Sequence, residues 1–166
     1  MLTGNHISWT HLIRMVNVTT TWKYEIPGEP TAWSSHRGYG KKSFSPHYKE
    51  REAAQYFLKN QHNHLPLFNK ALFIDFYFEM PIPTSMPKKL QKLIDNGSKI
   101  YHIKRKDRSN CVKFAEDCLT GVVITDDNII CGGKAEKYYS RFPRTIIHIM
   151  EAPNDIFIQS TWNPRR

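Results

Sequence analysis

Residues 72 to 80 constrain the fold of this chain more than any other stretch. Leu72, Ile74, Phe76, Phe78 and Met80 alternate with Phe73, Asp75, Tyr77 and Glu79. That period of two is the signature of a strand with one buried face. Such a strand needs neighbours in a sheet, and the apolar face of that sheet needs a cover. Pro81 and Pro83 predict its end, because proline has no N–H to give to a ladder.

The cover is legible as helices. Cys111, Phe114, Ala115, Cys118 and Leu119 fall at i, i+3, i+4, i+7 and i+8. That stripe predicts a helix over about 110–120 with one face in the core, and Gly121 is suited to end it. A run of good helix formers (Glu50, Glu52, Ala53, Ala54, Leu58, Lys59) predicts another over 48–63. A shorter helix is expected over 86–96, capped by Ser85, with Leu90, Leu93 and Ile94 inward and Gly97 as its stop. Further strands are expected at 19–26, 122–125, 129–131 and 144–150, with Asp126-Asp127-Asn128 as a turn. Pro27-Gly28-Glu29-Pro30 breaks the first strand, and residues 31–47 read as a long basic loop. Strand and helix alternate early and strands gather late. This predicts a mixed α/β, or α+β, domain: a single mixed sheet covered by helices. Its bounds are expected at 18–151, with an N-terminal extension over 1–17 and a C-terminal tail over 152–166.

Charge narrows the class of partner. The 166 residues carry 24 Lys+Arg against 15 Asp+Glu, a formal net charge of +9. A surplus of that size creates a field that attracts polyanions, nucleic acid first and an anionic membrane surface second. With 40% hydrophobic residues the chain has a core to build, so it does not read as disordered. No apolar run reaches the roughly 18 residues that a membrane span needs. The N-terminus lacks the charged-then-apolar order of a signal peptide, so a cytoplasmic location is expected. Cys111, Cys118 and Cys131 are odd in number and form no CxxC pair, which argues against a disulfide framework or a zinc cluster.

The predicted helix over 110–120 has a second face. Opposite its apolar stripe lie Ser109, Asn110, Lys113, Glu116 and Asp117, and Asp107 precedes the first turn. Asp126 and Asp127 follow the short strand expected at 122–125, which is expected to return them beside the start of this helix. Phosphodiester hydrolysis needs such a set: carboxylates for one or two Mg²⁺ ions, and a lysine for charge that builds on the phosphate. The plain alternative is structural. Asp107 caps a helix, Lys113 and Asp117 form an i, i+4 pair, and Asp126-Asp127 is only a turn. Spacing alone leaves both open.

Basic residues crowd around this set. Lys99, Lys104, Arg105, Lys106 and Arg108 precede it, and Arg37, Lys41 and Lys42 interleave with Tyr39 and Phe44 in the basic loop. Such sets suit phosphate contacts and base stacking; the alternative is a solvated charged face. His102 has no partner at ligand spacing and reads as structural or phosphate-facing.

The run Lys106-Asp107-Arg108-Ser109-Asn110-x-x-Lys113-x-x-x-Asp117, followed by Thr125-Asp126-Asp127-Asn128-Ile129, resembles the RusA family of Holliday junction resolvases. That family's pattern is roughly Pro-Asp-x-Asp-Asn-x-x-Lys-x-x-x-Asp, then an Asp-Asp pair. Ile26-Pro27-Gly28-Glu29-Pro30 and Phe78-Glu79-Met80-Pro81-Ile82-Pro83 resemble its opening strand and turn and its second strand. Lys134 and Lys137 stand where members often carry lysines, and the likeness spans about residues 20 to 151. The resemblance implies a homodimer that uses Mg²⁺ or Mn²⁺ to nick opposed strands of a four-way junction. Many members come from prophages. It implies Asp107 and Asp127 as metal ligands, Lys113 as the catalytic lysine, and Asn110 and Asp117 as supporting residues. Asp126 matches the first of the Asp pair. Arg37, Lys41, Lys42, Lys104, Arg105, Lys106, Arg108, Lys134 and Lys137 are the expected DNA contacts.

Three positions depart from that pattern. Ser109 replaces the second aspartate of Asp-x-Asp, Lys106 the preceding proline, and Cys111 the leucine after the asparagine. The site thereby loses one negative charge. The expectation is that Ser109 binds through its own oxygen or a water, while Asp126 or Glu116 supplies the missing charge. Two rivals stand beside this: a branched-DNA-binding protein that has lost cleavage, and a general basic nucleic-acid-binding domain without metal.

Overall fold

The computed structural model describes residues 20–34, 37–39, 42–44 and 46–152, with backbone alone for 37–39 and 42–44. The expected extension over 1–17 and nearly all of the expected tail lie outside these residues. Thr21–Ala152 is one compact unit.

Its centre is the alternating strand. In chain order the strands are β1 (Thr21–Pro27), β2 (Arg37–Tyr39), β3 (Lys42–Phe44), β4 (Leu72–Pro81), β5 (Ile130–Gly132), β6 (Ala135–Ser140) and β7 (Arg144–Glu151). The helices are α1 (Tyr48–His62), α2 (Lys88–Asp95) and α3 (Arg108–Leu119). Five strands make one mixed sheet in the order β1-β7-β4-β5, with β6 also on β4. β7 runs antiparallel to both β1 and β4, whereas β5 and β6 run parallel to β4 along its other side.

Leu72, Ile74, Phe76, Phe78 and Met80 all turn into the core, as the period of two requires. They share one cluster with Tyr24 of β1, Ile147 and Ile149 of β7, Leu58 of α1 and the whole predicted stripe of α3. Each large side chain buried there contributes roughly 1.5–3 kcal/mol of transfer free energy. The other sheet face is mixed, with Ile146 and Tyr77 beside charged residues. There Glu79, 9% exposed, accepts from Arg144 at 2.7 Å and from the Tyr138 hydroxyl at 3.3 Å, so its burial is compensated. Arg144 also reaches Glu25 at 3.0 Å.

Four expectations need correction. Residues 122–125 are not a strand. The N–H groups of Val122 and Val123 fold back on the Leu119 carbonyl, and Phe68 takes the remaining pairing through Val123 and Thr125. Val123 and Ile124 are fully buried, so their apolar character reflects burial of a turn. Helix α2 starts at Lys88 after Pro87, and Leu90 and Leu93 stand 38% and 41% exposed; only Ile94 packs against the core. The basic loop contains a short hairpin, β2 with β3. Strand β6 went unforeseen because Ala-Glu-Lys-Tyr-Tyr-Ser shows no alternation; it is held by pairing with β4.

Candidate active site

Helix α3 forms one wall of the site. Its buried residues Cys111, Phe114, Ala115, Cys118 and Leu119 fix its rotation on the sheet. The opposite face then presents Arg108, Ser109, Val112, Lys113 and Glu116 to a cleft of about 590 Å³. The other wall is Asp127, β5 and the start of β6, with Lys134 at its edge and Ile74 and Phe76 among the lining.

That second wall depends on two local devices. Asp126 caps the 3-10 turn Asp127–Ile129, its carboxylate accepting the Asn128 N–H at 3.0 Å. This spends Asp126 on backbone and leaves Asp127 toward the cleft. Beyond β5 the chain passes Gly133, whose φ is +137°; a Cβ there would lie 1.9 Å from the Ile74 carbonyl oxygen. Only glycine permits that approach. It sets the Lys134 N–H on Asp75 at 2.9 Å and the Lys134 carbonyl on the Phe76 N–H at 2.8 Å. The Lys134 ammonium lies 3.8 Å from Asp75.

The cleft is acidic on both sides. Glu116 is half-buried, and its carboxyl is pushed above the ordinary range by burial first, then by the charges of Asp127 and Asp117. Lys113 is exposed and lines the same cleft, yet makes no ion pair among the described residues; its ammonium rests 3.6 Å from the centre of the Trp33 ring. Asp117, four residues on, is half-buried and also unpaired among them.

Asp107 occupies the N-cap of α3, and its carbonyl accepts the Cys111 N–H at 3.0 Å. Its side chain makes no capping bond, so capping does not account for the carboxylate. It is exposed and is not among the residues that line the cleft. Asn110 is half-buried and its carbonyl accepts the Trp33 N–H at 2.8 Å.

The basic set divides. Lys106 has φ +75° and donates to Glu29 at 2.5 Å and to the Pro30 carbonyl at 2.9 Å. Lys137 donates to the carbonyls of Lys106 at 2.5 Å and Lys104 at 3.3 Å. These two lysines fasten the segment that leads into Asp107. Lys104, Arg105 and Arg108 are exposed and make no ion pair among the described residues. Arg37 and Lys42 lie on the hairpin, and Lys41 is outside the described residues. His102 packs edge-on against Tyr139 at 4.9 Å, and burial, then Lys137, lowers its pKa; it is a filler behind this loop. Trp33, Glu29 and Asp75 carry no local signal, because their partners are about 80, 77 and 59 residues away in the chain.

Among the described residues no three His, Cys, Asp or Glu side chains converge as a metal cage. The oxygen donors in the cleft are Glu116, Asp127 and the Ser109 hydroxyl; the Cys131 thiol also lines it and donates to the Ile129 carbonyl at 3.6 Å. Mg²⁺ is commonly held by one or two carboxylates, several waters and substrate phosphate, so this set fits such an ion without a complete protein cage. The raised pKa of Glu116 comes first from burial and then from the nearby charges of Asp127 and Asp117.

The family model for endodeoxyribonuclease RusA matches residues 27–150. This chain belongs to the RusA endodeoxyribonuclease family. The match spans β1's last residue to β7 and so includes both walls of the cleft. The chain is also similar to the uncharacterized protein YqaN of Bacillus subtilis (strain 168), 26% identical over 137 residues, covering 78% of this chain and 95% of that protein. The family gives the activity class, cleavage of DNA within the strand. No helix among the described residues is long and apolar enough to cross a membrane.

Proposed function

We propose that this RusA-family endodeoxyribonuclease is a Mg²⁺- or Mn²⁺-dependent resolvase that nicks four-way DNA junctions. The observation that carries this is the convergence of Ser109, Lys113, Glu116 and Asp127 on one cleft beneath a basic rim. In this reading Asp127 and Glu116 hold the metal, with Ser109 as a neutral oxygen beside them and Asp107 contributing from the helix N-cap. Of the two candidates for the missing charge, Glu116 is preferred: it lines the cleft, whereas Asp126 is engaged by the Asn128 N–H. A metal bound there supplies Lewis-acid charge to the scissile phosphate and acidifies a water ligand.

The chain's own groups do the rest. Lys113 donates to a non-bridging phosphate oxygen as charge builds on it. Arg108 and Lys134 hold the flanking phosphates at the two edges of the cleft, and Lys104 and Arg105 extend that contact. Asn110 and Asp117 support the helix face. A homodimer would put two such clefts on a two-fold-symmetric junction.

The test is nicking of a labelled synthetic four-way junction with Mg²⁺ or Mn²⁺, alongside Asp127→Ala. Paired symmetric nicks that Asp127→Ala reduces about a thousandfold support the resolvase. Tight, salt-sensitive binding without cleavage under either metal would replace it with a junction-binding relative, the reading that Ser109 favours. Binding that ignores branching would leave a general nucleic-acid-binding domain.

A further inference from the structure

We infer that Trp33 is a positioning residue for Lys113, keeping its ammonium off the neighbouring carboxylates and available to phosphate. The inference rests on the nuclease reading above. Lys113 has Glu116 at i+3 and Asp117 at i+4, the spacings at which helical ion pairs form. It pairs with neither among the described residues. Its Nζ instead lies 3.6 Å from the Trp33 ring centroid. The charged atom, and not only the methylene stem, is on the indole face, which is the geometry of a cation–π contact.

The ring is held in register with the lysine. The Trp33 N–H donates to the Asn110 carbonyl at 2.8 Å, one helical turn before Lys113. Its indole packs partly buried against the core, and the Ser34 hydroxyl pairs with the His47 Nε2 at 3.0 Å, next to Phe114 of the same helix. The arrangement separates two tasks. A lysine collapsed onto Glu116 would neutralise a carboxylate needed for the metal and lose its own donors to phosphate. On the Trp33 face its donors are taken by no group among the described residues, because a ring quadrupole attracts a cation without accepting its hydrogen bonds in place of phosphate.

Trp33→Leu keeps apolar bulk and removes the π face; Trp33→Phe keeps a smaller one. With junction substrate, Trp33→Leu is expected to lower kcat about tenfold and leave KM and the metal-free junction Kd within about twofold. Trp33→Phe should lose less than about threefold. A urea-unfolding cycle with Trp33→Leu, Lys113→Met and the double variant should give about a two- to fivefold coupling in the unfolding constant. No coupling, or an unchanged kcat in Trp33→Leu, overturns the inference. A wild-type chain that nicks nothing overturns the nuclease reading instead, and the cycle still decides whether Trp33 seats Lys113.

Discussion

The two walls of the cleft reach the same place by different physics. The α3 wall is positioned by burial: five side chains enter the core, and the angle of the helix follows. The Asp127 wall is anchored more lightly: Ile129, Ile130 and Ala135 pack against the core but are only partly buried. It rests on one capping carboxylate, a three-residue strand and a glycine pressed against a neighbouring carbonyl. A wall set by a stripe tolerates changes on its open face, while one set by close backbone approach fails at a single atom. The site is therefore robust along its helix and brittle opposite it.

Gly133→Ala strikes the brittle wall directly. The added Cβ meets the Ile74 carbonyl at 1.9 Å, and the backbone must move. The expected cost is on the order of 3 kcal/mol or more, read by urea unfolding. An alanine tolerated within about 0.5 kcal/mol would show that the second wall is as forgiving as the first. On the helix wall, Ser109→Asp adds a carboxylate at an exposed position of α3 without touching the core. Half-maximal Mg²⁺ for cleavage should fall about tenfold, since ligand charge count tunes affinity; an unchanged requirement would mean that Glu116 already supplies all the charge the site uses.

Glu116→Gln separates stability from function on that same wall. The raised carboxyl pKa means that the folded state holds its proton to higher pH than the unfolded chain does. Stability from this group is therefore lost as pH rises from the ordinary glutamate value through the raised one. Above that window Gln should be more stable, by ~2 °C in Tm, while metal-dependent nicking falls. Because protons compete with the metal for this carboxylate, the wild type's half-maximal Mg²⁺ should rise on acidification, and the Gln variant should show less of that dependence. A Tm lowered at neutral pH would contradict the assignment. The smallest expected effect concerns the rim. Lys104→Gln with Arg105→Gln should weaken junction binding and reduce the slope of log K against log salt by about one for each phosphate left without its cation. Lys106→Gln should instead act mainly on stability, because Lys106 holds Glu29 and Pro30.

The same contrast explains what was legible in the sequence. Strand β4 and helix α3 declare themselves because their periodicity records burial, and burial of all five stripe residues followed as expected. Helix α2 has the same kind of pattern, but among the described residues no element covers Leu90 and Leu93, so a stripe predicts a helix more securely than a partner. Strand β6 and the turn at 122–125 depend on which backbone groups find each other across the fold, and no local pattern encodes that. Of the larger set read from the sequence, Ser109, Lys113, Glu116 and Asp127 line one cleft, whereas Asp107 and Asp126 do not. The Trp33 face on which Lys113 rests was not legible, since 80 residues separate them.

The left-handed backbone at Lys106 constrains which residue can stand there. Proline locks φ near −65°, and Lys106 stands at +75°. The proline that opens the family pattern is thus incompatible with the conformation this segment adopts, in which Lys106 donates to Glu29 and Lys137 donates to the Lys106 carbonyl. Lys106→Pro would have to move this backbone and would lose the contacts to Glu29 and the Pro30 carbonyl at the same time.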